Sequence, residues 1–229
     1  MNQNFLLQLQ WIAEHAEEYN IVFVSHVGDI VQSGNAQSEW DVAVSAFDWI
    51  EDIGLPHGFS VGAHDIWVYG DGHDNSCATF DHFDCEYTDY LRNFGPQHYE
   101  GRSWFGGSSP SGISSFQRIS AGGMDIIFLH LPQDTPEPEL EWADEILDAN
   151  PGTLVHLTTH RYLFDYRLTE ELPAPLDEIP AGRFNGLTYL LADQKLIFKD
   201  GVTADDLFEQ FIARHPNIFA VHCGHVDGE

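Results

Sequence analysis

Four short motifs in this chain place acids or histidines at the ends of apolar runs. They are Gly28-Asp29 in VFVSHVGDIVQSG, Gly62-Ala63-His64-Asp65 in SVGAHD, His160 in VHLTTHRY and Gly224-His225-Val226-Asp227 in VHCGHVDGE. Each apolar run reads as a buried strand. In open α/β sheets ligands bind beyond the carboxyl ends of the strands. Asp29, His64, His160 and His225 can therefore reach one cleft from four separate stretches. Carboxylate oxygens and imidazole nitrogens brought together in this way suit Zn, Mn or Fe.

With these residues the chain resembles the calcineurin-like metallophosphoesterases, whose pattern runs D-x-H, GD-x-x-[DN], GNH[DE], a lone His, then GH-x-H. The resemblance implies a centre of two divalent ions, Mn, Fe or Zn, and hydrolysis of a phosphomonoester or phosphodiester by metal-activated water. Asp29 corresponds to the bridging aspartate, His160 to the lone histidine ligand and His225 to the first histidine of GH-x-H. His64 corresponds to the histidine that serves the leaving group, with Asp65 as the acid that orients its ring. Asp227 stands where the family has a second histidine, and a carboxylate still binds metal. Ala63 stands where the family has a metal-ligating asparagine, and a methyl group coordinates nothing. Gln32 occupies the variable polar position after Gly28-Asp29. No D-x-H segment precedes residue 5. Carried over residue by residue, one metal keeps Asp29 and Asp227 and the other keeps Asp29, His160 and His225. Arg161, and after it Arg102, are the candidates for contact with a phosphate ester, because basic residues are scarce. Ala63 favours the alternative: a non-catalytic binding or surface-interaction domain that kept the fold without a complete metal centre.

The elements that must position these residues are legible from apolar spacing. Residues 5–18 read as a helix with Phe5, Leu6, Leu9 and Ile12 on one side, and 39–53 as a second with Trp40, Ala43, Val44, Phe47 and Ile50 on one face. Strands are expected over 21–25, 59–62, 124–131, 154–159 and 218–222. Helices are expected over 139–149 and 203–214, the latter opened by a capping box from Thr203 to Asp206. Strands alternating with helices imply βαβ units and a largely parallel sheet. Irregular insertions are expected over about 69–115 and 161–200. Trp104, Phe105, Tyr162 and Tyr166 within them are candidates for shaping a substrate pocket. The resemblance implies an αββα sandwich, one domain over 1–229, incomplete at both termini.

Composition limits the partners. With 37 acidic residues against 9 basic ones the net charge is -28, and lysine occurs only at Lys195 and Lys199. Such a polyanion is repelled by nucleic acid and by anionic lipid. Its acidity reads either as a solubilising surface or as adaptation to high salt, where screening relieves self-repulsion. No apolar run approaches the roughly 20 residues of a membrane span. The start, MNQNFLLQLQWIAEH, lacks the basic and small-residue features of a signal peptide, so a soluble protein is expected. No calcium-loop motif is present. Cys77 and Cys85 are near enough in sequence for a local disulfide in an oxidising compartment, whereas Cys223 reads as a small buried residue. Of the remaining histidines, His26, His130, His156 and His222 read as structural. His73, His82 and His98, with Asp71, Asp74, Asp81 and Asp84, read as a solvated loop.

Overall fold

The computed structural model describes residues 3–66, 88–162 and 201–225. Asp227, Cys77, Cys85, His73, His82 and Tyr166, and nearly all of the expected 161–200 insertion, lie outside the described residues. The chain is mixed α/β. A short parallel pair joins β1 (Val24–His26) to β2 (His57–Phe59). A five-stranded sheet runs in the order β3 (Phe105–Ser108), β4 (Ser115–Ala121), β5 (Met124–His130), β6 (Leu154–Thr158) and β7 (Ile218–His222).

The first pair is covered by α1 (Gln3–His15) and α2 (Gln37–Asp52). Trp40, Ala43, Phe47 and Ile50 recur at helical spacing and are fully buried. Phe47 meets Phe59 of β2 edge-on, with ring centroids 4.5 Å apart. Burial of each such large side chain stabilises by about 1.5–3 kcal/mol, so this face fixes α2 on the strands. The second sheet is covered on its outer side by α4 (Glu137–Asp148), numbered after α3 (Thr88–Phe94), and by α5 (Ala204–Gln210). Ile127, Leu129, Val155 and Leu157 point to these helices. Because side chains alternate along a strand, Phe128, His130, His156 and Thr158 face the other way, and β1 meets them there. Phe23 stacks on Phe128 at 3.9 Å. Ser25 Oγ lies 2.9 Å from His130 Nε2 and 2.7 Å from Thr158 Oγ1. His156 Nε2 continues the polar seam to His222 Nδ1 at 2.5 Å.

Two expectations are corrected. The sheet is mixed: β5, β6 and β7 are parallel, but β3, β4 and β5 pair antiparallel. The sign was in the sequence. Gly122 and Gly123 both take positive φ, 60° and 79°, and close a two-residue hairpin between β4 and β5. The irregular segment expected up to 115 is also shorter, since its described part holds α3, a 3₁₀ turn over Pro96–Tyr99 and β3. The capping box at Thr203 is present, with Thr203 Oγ1 accepting from Asp206 N at 3.1 Å. The helix it opens yields to a 3₁₀ turn at Ile212–Arg214. Among the described residues no helix is long and apolar enough to cross a membrane.

Candidate metal centre

Beyond the carboxyl ends of β1 and β2 the chain turns sharply, and the two turns touch. Gly28 (φ 95°) and Asp29 (φ 55°) are both left-handed. A Cβ on Gly62 would fall 2.3 Å from Asp29 N and 2.4 Å from Asp29 Oδ1. Only glycine permits that approach. The turns are clasped by Asp65, which is buried. Its Oδ2 accepts from Asp29 N (3.0 Å) and Gly62 N (2.8 Å), and its Oδ1 from Ile30 N (2.7 Å) and Val31 N (3.2 Å). Burial pushes Asp65 up to about 7, against the pull of the Gly62 and Val31 N–H groups. All four partners are donors, so the ionised carboxylate is the form that fits them.

Through these four bonds Asp65 joins the two loops. His64 meets Gln32, whose carbonyl oxygen lies 3.0 Å from His64 Nδ1 and whose side-chain amide lies at 2.9 Å. The carbonyl accepts from a protonated Nδ1 and the amide donates to an unprotonated one, so one of the two bonds forms in each tautomer. The His64 backbone N–H donates to Asp29 Oδ1 at 2.8 Å. His64 therefore stands beside Asp29.

His160, at the end of β6, is 1% exposed. Its Nδ1 donates to the Val27 carbonyl at 2.8 Å. That bond aims Nε2 at Asp29 Oδ2, 3.1 Å away, and at His225 Nδ1, 3.3 Å away. His225 is positioned by Gly224, whose N–H donates to the His160 carbonyl at 2.8 Å, and by its own left-handed φ of 73°. One donor atom from each of Asp29, His160 and His225 lies within 4.8 Å of the others. Ligand bonds of about 2.1 Å place neighbouring donors roughly 3.4 Å apart in a tetrahedral shell, so the two short separations already lie near a coordination edge. A backbone carbonyl fixing the tautomer of a histidine ligand is the usual outer support of a metal site. The donor set fits one divalent cation.

Electrostatics agree with this packing. Burial works against a charged His160, but the hydrogen bond and charge of Asp29 outweigh it and raise its pKa. Burial likewise opposes ionisation of Asp29, and the hydrogen bond and charge of His160 outweigh it and hold Asp29 below the ordinary carboxylate range. Desolvation first, and then the charge of His160, pull His225 down to about 4. A neutral His225 offers its lone pair to a cation.

Other sequence candidates fall elsewhere. Ala63 is fully buried and packs with the first core cluster. Arg161 is not open to a substrate: its guanidinium is buried and doubly bonded to Asp134, with Nε–Oδ1 at 3.0 Å and Nη2–Oδ2 at 2.5 Å. Arg102 pairs with Glu51 Oε2 at 3.3 Å, away from this centre. His98, expected in a solvated loop, is partly buried against Glu51. His26 is the exception: it packs against Phe5 and Phe59, and its Nδ1 accepts from Gly28 N at 3.2 Å, so it flanks the Asp29 turn. Sequence reading missed Gln32 as the brace of His64 and the Val27 carbonyl. The first was visible only as a polar residue three positions after Asp29, and a carbonyl carries no sequence signal.

No family model matches the chain. It is similar to the uncharacterized protein YvnB of Bacillus subtilis (strain 168), at 26% identity over 156 residues. The match covers 68% of this chain and 11% of that protein, so the chain spans a small part of the length of the relative it resembles.

Proposed function

We propose that this chain is a metal-dependent phosphate-ester hydrolase of calcineurin-like type, built on an αββα sandwich. The observation that carries the reading is the convergence of Asp29, His160 and His225 from three separate strand ends onto one point. A divalent cation bound there supplies an activated water and offsets charge that develops on the phosphoryl oxygens. Asp29 and the two histidines would hold the cation. Asp65 keeps the two loops in register, and the Val27 carbonyl keeps His160 Nε2 aimed inward. His64, steadied by Gln32, stands beside Asp29, where it can pass a proton to a departing alkoxide. The substrate is a small phosphate ester, since a net charge of -28 disfavours nucleic acid.

A non-catalytic metal-binding domain is the second reading. The burial of Ala63 and the capture of Arg161 by Asp134 favour it, because neither serves a substrate. Metal content and turnover of p-nitrophenyl phosphate and bis-p-nitrophenyl phosphate with added Mn2+ separate the two. The hydrolase reading expects Mn2+-dependent turnover that falls at least about 100-fold in His160→Ala, on the scale of losing a group that acts in the transition state. Metal uptake without turnover supports the second reading, and a folded chain with neither removes the metal centre altogether.

A further inference from the structure

We propose that Glu51, His57 and His98 form a second site for a divalent transition cation of the Zn2+ class, structural in role. The proposal does not depend on the hydrolase reading. The three residues come from separate segments: the last turn of α2, the first residue of β2 and the 3₁₀ turn at Pro96–Tyr99. One donor atom from each lies within 4.8 Å of the others. The site stands at the start of β2, whereas the Asp29 centre lies past its end, so the two are at opposite ends of the strand.

The donors are already arranged as ligands. His57 is 1% exposed, and its Nδ1 donates to the Leu55 carbonyl at 3.0 Å. Its Nε2 is therefore the lone-pair nitrogen, and it faces His98 Nε2 at 3.4 Å. That separation is the edge that two Zn–N bonds of about 2.0–2.1 Å require in a tetrahedral shell. His98 Nε2 lies 2.8 Å from Glu51 Oε1, a contact in which the imidazole donates to the carboxylate. A cation takes the place of that proton: the His98 proton passes from Nε2 to Nδ1, and the freed Nε2 lone pair faces the ion. The other Glu51 oxygen, Oε2, takes Arg102 at 3.3 Å, which holds the carboxylate in place and leaves Oε1 for the cation.

The surroundings suit a structural ion. Trp104, Tyr99 and Phe59 ring His57, with centroids 5.3, 5.7 and 5.6 Å away, and Phe94 lies 5.2 Å from His98. An apolar shell of this kind limits water and strengthens the bonds inside it. Glu51 and His98 keep 20% and 13% of their side chains exposed, so the rim admits an ion and a water as fourth ligand. Two imidazoles and one carboxylate are the ligand types of Zn2+ and its neighbours rather than of Ca2+ or Mg2+.

The test uses Co2+, a coloured substitute for Zn2+, titrated into the chelator-treated chain at neutral pH. The expected result is four-coordinate Co2+ absorption, displaced by Zn2+, that persists when Asp29→Asn and His160→Ala remove the first centre. Glu51→Gln keeps side-chain size and lies at the rim; it should lower Co2+ affinity at least about 10-fold, the minimum seen for outer-support losses. His98→Gln is the second variant and should do the same. Circular dichroism confirms that each variant is folded. Unchanged Co2+ absorption and affinity in both folded variants would overturn the site. So would loss of all Co2+ absorption in the Asp29→Asn, His160→Ala protein, which would place every bound ion at the first centre.

Discussion

A carboxylate that accepts four backbone N–H groups has no neutral substitute that pairs them all. Asp65 does this between residues 29–31 and Gly62. Each buried donor left without a partner costs about 1–3 kcal/mol. Asp65→Ala should therefore destabilise the fold by more than about 3 kcal/mol, read as a lower midpoint in urea unfolding. Asp65→Asn keeps one acceptor oxygen and should fall between the two. A loss below about 1 kcal/mol for Asp65→Ala would show that water or neighbouring groups satisfy these donors. The residue types of this centre were legible in the sequence, but their partners were not. His-Asp at 64–65 reads as a catalytic pair through the resemblance of its motif. The chain sends Asp65 inward to the backbone and leaves His64 to Gln32, 32 residues earlier. Such pairings depend on how two turns fold against each other, and one-dimensional spacing does not encode that.

At the scale of elements, the centre exists because two loops and a strand end approach one another without side chains between them. Gly62→Ala adds a methyl group where Asp29 N and Oδ1 already stand, at 2.3 and 2.4 Å. Backbone atoms cannot yield as a side-chain tip does, so the Asp29 turn must move. The expected outcome is weaker metal uptake, by about 10-fold or more, with little change in secondary structure, measured by metal titration and circular dichroism. Unaltered uptake would mean that the turns are looser than described. The amphipathic helices were readable, since α1, α2 and α4 each bury the face that apolar spacing assigns. The antiparallel pairing was less so: β5 shows as an apolar run, but β4, SFQRISA, mixes polar and apolar residues, and only Gly122-Gly123 marks the turn between them. The short β1 and β2 ended up shifted from their expected spans because the apolar residues that flank them continue into the turns.

For the whole molecule, the buried histidines set the response to acid. Burial, as the first cause in each case, pulls His26 and His57 down to about 4 and His130 to about 3, from an ordinary 6.5. Between those limits the unfolded chain takes up protons that the folded chain refuses, so their contribution to stability is present above 6.5 and is lost as pH falls. Each group alone can remove about 1.4 kcal/mol per pH unit in that window. His160 has the opposite sign: its raised pKa contributes stability below 6.5 that is lost as pH rises through its folded value. In the same window Asp65, raised to about 7 by burial, acts against the histidines because the folded chain takes up its proton first. Three groups outweigh one, so the melting temperature in chelator should fall steadily between pH 6.5 and about 4.5, and a flat profile would refute this. Within the same interior, the seam of Ser25, His130 and Thr158 joins the two sheets by oriented bonds rather than by apolar contact alone. Apolar faces tolerate sliding, but hydroxyl and imidazole partners do not. Ser25 stands four residues before Asp29, and Thr158 two before His160. A slip of one residue would displace one sheet by about 3.3 Å, far beyond the roughly 0.2 Å that a metal bond allows. The seam thus acts as an alignment pin, and the precision of any centre at the strand ends is set here, in the middle of the molecule.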